Sequence, residues 1–156
     1  MQRKLIKYFV YSAGVLFAFT AIAKFVSSSG DARILQNPDP ILGIPFRHVF
    51  WIVGALELAI ALICFFNNSI GLQVGLIAWI GSSFLVYHVG LVLVSYRKPC
   101  PCLGNLTDAL HIPPQIADVA MKIILAYLLI GSYATLFGLW RHRKRAISSA
   151  VGAASL

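Results

Sequence analysis

Charge is scarce in this chain. Asp, Glu, Lys and Arg make up 12% of its residues, about half of the roughly 25% usual in a soluble globular domain. Such a composition does not suit a fold surrounded by water. Long polar connections are missing too: no segment between the apolar blocks is large enough to be a soluble domain. No internal repeat is visible, which argues against a repeat-built transporter. Cysteine is sparse, with three residues in 156, yet two of them stand one residue apart in "YRKPCPCLG".

What the chain has in excess is apolar length. Hydrophobic residues account for 59% of it and fall into four blocks. These run from about Leu5 to Val26, His48 to Phe66, Ile70 to Tyr96 and Gln115 to Trp140. An apolar run of about 20 residues matches the hydrocarbon core of a bilayer. The expected fold is all-α: an integral membrane four-helix bundle filling residues 1–145, its backbone amides satisfied within the helices. The tail 146–156, "AISSAVGAASL" from Ala146 on, reads as a disordered cytoplasmic extension.

The net charge of +8 does not indicate nucleic acid, because the cations cluster at helix ends. Arg3, Lys4 and Lys7 open the first block, and Arg141, Arg143, Lys144 and Arg145 follow the last. Cytoplasmic flanks are enriched in Lys and Arg. Both termini are therefore expected in the cytoplasm, in agreement with an even number of helices, with residues 27–47 and 97–114 outside. Arg97 and Lys98 oppose this orientation with fewer charges. A rival reading takes the first block as a signal peptide, with "AIA" at 21–23 as its cleavage site. The length of the run and Lys24 directly after that site count against it.

Small residues give packing signals. Gly71 and Gly75 form a GxxxG pair, and Gly14, Ala18 and Ala21, then Gly131, Ala134 and Gly138, follow similar spacings. The outer segment 27–47 carries Pro38, Pro40 and Pro45, which stop a continuous helix; it is expected to fold over the outer mouth of the bundle. Asp118 and Lys122 are spaced to pair along the fourth helix. Trp51, Tyr96 and Trp140 read as interfacial aromatics, whereas Tyr87 lies deeper and suits an internal pocket.

Cys100 and Cys102 fall on the expected outer side, where disulfides persist. A bond between residues i and i+2 requires a tight turn, which Pro101 restricts further. Strained, exposed disulfides are the labile ones, and Arg97 and Lys98 favour the thiolate. Compartment, spacing and charge all suit thiol–disulfide exchange. Two other readings stay open. One is a static disulfide, although so short a loop gains little from closure. The other is a metal site formed by Cys100, Cys102 and His111, which is one ligand short of a structural zinc centre. Cys64 reads as a small buried apolar residue.

Ionisable groups inside the spans are functional candidates by default. Glu57 is expected about 14 Å and His88 about 12 Å below the outer boundary at roughly 1.5 Å per residue. At similar depths they could satisfy each other, either as a proton-carrying pair or as a fixed clamp between helices two and three. Lys24 is expected to snorkel to the headgroups. It could instead reach Glu57 if the first helix extends further outward.

The stretches "AGVLFAFTAIAKF" and "GALELAIAL" resemble the first two helices of the DoxX-like families, with the acidic residue at Glu57. "CPCLG" after the third helix resembles the Cys-x-Cys-x-Gly element of the MauE family of methylamine utilisation proteins. The resemblance covers the four-helix core. It implies a bacterial inner-membrane protein that acts beside a periplasmic thioredoxin-like partner and helps to mature a disulfide-rich periplasmic dehydrogenase, with Cys100 and Cys102 as the exchange pair. Apart from the resemblance, buried polar groups beside a thiol pair in a lipid setting point to electrons passing from the pair to a quinone lodged near Glu57, His88 and Tyr87. The competing expectation is a non-catalytic membrane anchor or assembly factor.

Overall fold

The computed structural model describes residues 2–30, 33–94 and 114–154. Four long helices account for most of them: α1, Gln2–Ser28; α2, Phe46–Phe66; α3, Ile70–Leu93; and α4, Pro114–Ala154. Each contains a stretch of 21 to 25 residues long and apolar enough to cross a membrane. A helix meets the demand of such sequences because it pairs every interior N–H and C=O within one segment. No strand is present among the described residues.

Two boundaries differ from expectation. The third helix stops at Leu93 rather than near Tyr96. The fourth continues to Ala154 instead of giving way to a disordered tail. No proline follows Pro114 in the chain, and helix growth adds one hydrogen bond per residue once a nucleus exists, so nothing in the tail forces an end.

The helices run alternately up and down. α2 ends where Asn67 turns extended and donates its N–H to Ile63 O at 3.0 Å. Gln73, one turn into α3, then covers the exposed end of α2. Its Nε2, with two N–H donors to share, lies 3.2, 3.1 and 2.6 Å from the carbonyl oxygens of Ile63, Cys64 and Asn67. One buried amide thus serves the end of α2, where the last carbonyls, Cys64 O and Asn67 O among them, lie beyond the reach of intrahelical N–H groups.

α1 packs along α2, and α3 along α4, while the two pairs touch each other more lightly. The main core lies between them and includes Val10, Ala13, Phe17, Ile60, Cys64 and Ile77. Two glycines permit close approaches within the core. A Cβ on Gly14 would stand 3.0 Å from Cys64 Cβ, and one on Gly131 would overlap the Phe9 ring. Gly71, Gly75 and Gly138 meet nothing within 4 Å, so the GxxxG pair of α3 makes no close contact among the described residues. Ser12 to Tyr127 and Ser82 to Tyr133, at 2.7 and 2.9 Å, tie α4 to α1 and to α3.

The segment between α1 and α2 forms a short 3-10 turn, Arg33–Gln36, and then a tight loop. Asp39 N–H donates to Ile44 O at 2.8 Å and Gly43 N–H to Asp39 O at 2.9 Å. Gly43 sits at φ +68°, a conformation that costs glycine little. Ile41 reaches across to α3, where a Cβ on Gly90 would stand 2.9 Å from its Cδ1. The loop covers one end of the bundle, the end at which α1 stops and α2 starts.

Candidate functional site

Lys24 Nζ lies 2.8 and 2.9 Å from the two carboxylate oxygens of Glu57. Both side chains are buried, at 7% and 2% exposure. Helix geometry explains why this pair forms. Side chains on an α-helix lean towards its N-terminus. α1 and α2 are antiparallel, so Lys24 leans back from near the C-terminal end of α1 while Glu57 leans from the middle of α2 towards the N-terminal end of that helix, and the two side chains approach each other. Lys24 is four residues before Ser28, about 6 Å along the axis, and Glu57 is eleven residues after Phe46, about 16 Å. The two side chains span that difference.

The same lean turns Lys24 back along α1, so the snorkelling expectation does not hold and the alternative does: α1 extends to Ser28, beyond the expected Val26, and Lys24 meets Glu57. His88 is not Glu57's partner. With α3 ending at Leu93, His88 lies only five residues, about 8 Å, from the helix end. It is therefore shallower than Glu57.

What unites these residues is a cavity of about 290 Å³ in the seam between the two helix pairs. Lys24 and Thr20 of α1, Glu57 of α2, Ser83, Tyr87 and His88 of α3, and Lys122 of α4 supply its polar lining. Phe17, Phe50, Trp79 and Leu128 are among its apolar walls, and Leu42 of the loop reaches it from outside. The Phe84 ring centroid is 5.8 Å from Lys24 Nζ, within range of a favourable cation–π contact. Tyr87, expected to line an internal pocket, does so.

Asp39 went unnoticed in the sequence. It is 1% exposed and accepts the backbone N–H of Ile41 and of Leu42 at 2.8 and 2.9 Å on one oxygen. Its other oxygen accepts the Tyr87 hydroxyl. "NPDP" carried the available signal: an aspartate set between two prolines, a residue type that bonds backbone amides two or three positions on.

Cys64 is buried in the core, as expected. Trp51 and Trp140 are half exposed, and Trp51 rests on Phe25 with ring centroids 5.0 Å apart. Cys100, Cys102, His111 and Tyr96 lie outside the described residues, as does the Asp118 side chain. Among the described residues no cluster of His, Cys, Asp or Glu could hold a metal. The connection that carries the two cysteines leaves α3 after Val94 and enters α4 at Pro114. Both ends belong to the end of the bundle that the loop covers, where Tyr87 and His88 also lie.

Fold and cavity define a helical bundle of four helices, each able to cross a bilayer, with an ion pair set in an apolar chamber between them. The chain matches no protein-family model, no curated protein and no solved structure. The likeness to the DoxX-like and MauE families therefore rests on the stretches quoted above.

Proposed function

We propose that the protein performs thiol–disulfide exchange in a bacterial inner membrane through Cys100 and Cys102, with both termini in the cytoplasm and the pair on the periplasmic side. The supporting observation is positional: the chain segment bearing the pair joins the ends of α3 and α4 nearest Tyr87, His88 and Lys122, which line the cavity. The balance of exchange is complete without a cofactor. The thiolate of one cysteine attacks a disulfide of a periplasmic thioredoxin-like partner and forms a mixed disulfide. The second cysteine then attacks the first, so that the pair becomes a disulfide and the partner leaves as a dithiol. The reverse sequence oxidises the partner instead. Arg97 and Lys98 favour the attacking thiolate. Maturation of a disulfide-rich periplasmic dehydrogenase is the role the MauE likeness supplies.

Trapping tests this. In Cys102→Ser protein the intermediate cannot resolve, and a thioredoxin-fold protein should be recovered bound to Cys100 through a reducible bond. No covalent adduct from either single variant would contradict exchange. In that case a static pair in a membrane anchor becomes the better account, and Cys100→Ser, Cys102→Ser protein should retain full biological activity.

A further inference from the structure

We infer that the cavity between the helix pairs binds the ring of a lipid-soluble quinone, with a ring carbonyl on the Lys24 ammonium. An ammonium has three N–H donors. Lys24 spends two on Glu57, and none of the protein's described groups accepts the third. A buried, unspent charged donor at the end of an apolar chamber selects for a hydrogen-bond acceptor. The Glu57 carboxylate beside it makes the pair neutral overall, which disfavours an anionic head such as a fatty-acid carboxylate. A neutral carbonyl meets both conditions. The chamber's volume of about 290 Å³ falls just below the roughly 300–1,000 Å³ range of small-molecule sites. It suits one ring with the start of a tail and not a two-tailed lipid. Aromatic walls from Phe17, Phe50 and Phe84 offer faces against which a flat ring can pack.

Coupled to the exchange reading above, on which this part rests, the redox balance closes. The Cys100 and Cys102 thiols give up two electrons and two protons and join as a disulfide. The quinone takes both electrons and both protons and leaves as hydroquinone.

The test uses Trp79, which lines the chamber, as a reporter in detergent-solubilised Trp51→Phe, Trp140→Phe protein. Titration with a short-chain benzoquinone should quench Trp79 saturably, and equimolar oleate should not displace it. Cys100→Ser, Cys102→Ser protein should bind within about twofold of the parent, because the site does not include the thiols. Lys24→Met, Glu57→Leu protein should bind at least tenfold more weakly. A photoreactive quinone on unaltered protein should label the segment 79–88, which keeps the test independent of any variant's folding. Absent saturation, displacement by oleate, undiminished binding without the ion pair, or labelling elsewhere would each overturn the proposal. Saturable binding together with cysteines that never cycle would preserve the site while refuting the exchange reading.

Discussion

The Tyr87 hydroxyl on α3 donates to the Asp39 carboxylate in the loop between α1 and α2, which links one helix pair to the other beside the chamber that Tyr87 lines. Asp39 also holds the amides of Ile41 and Leu42, so one carboxylate both shapes the loop and fastens it. A hydrogen bond to a charged group contributes about 1.5–3 kcal/mol. Tyr87→Phe should therefore free the loop while leaving the helices intact. Hydrogen exchange at the amides of residues 41–44 should accelerate at least tenfold, with helix amides unchanged. Equal protection in both proteins would show that the latch does not hold the loop.

The buried ion pair predicts a non-additive pair of substitutions. Removing one partner leaves the other charge buried and uncompensated, at a cost of about 3–5 kcal/mol. Lys24→Met and Glu57→Leu should each lower the thermal midpoint in detergent sharply. The double variant should recover most of the loss, since replacing a buried pair with apolar groups is often neutral. Additive losses would mean that the two residues do not act as a unit.

Glycine substitutions should separate packed from open helix faces. Gly131→Ala drives a methyl into the Phe9 ring, and overpacking of this kind costs about 1–3 kcal/mol. Gly75→Ala meets open space and should be neutral or stabilising by up to about 1 kcal/mol, the difference in helix propensity. Thermal unfolding of the two variants reads this contrast directly. Equal losses would place Gly75 against a neighbour.

Cys64 should take no part in thiol chemistry. It is 2% exposed, in the core beside Gly14. A thiol-reactive label applied to folded protein should leave Cys64 unmodified, and denaturant should expose it. Rapid labelling before unfolding would place it outside the core.

How legible each feature was depended on its range. The helices were readable because a bilayer demands long apolar runs and the four blocks supply them. Their ends were less so: Leu93 ends α3 inside an apolar run that continues towards Tyr96. The Lys24–Glu57 pair needed the antiparallel sense of α1 and α2 and the backward lean of helical side chains, neither of which depth counting includes. Depth alone favoured His88. Asp39 and Tyr87 are 48 positions apart and meet only because the loop folds over α3. GxxxG spacing at Gly71 and Gly75 marks a smooth face without saying what covers it.

The central claim is that the Cys100–Cys102 pair changes redox state as part of its work. Mass-tag alkylation in membranes, before and after mild reductant and then after addition of quinone, measures that state directly. The account predicts two free thiols after reduction and a re-formed disulfide after quinone, each step shifting the protein by two tags. A pair that keeps the same tag count through both treatments would contradict it.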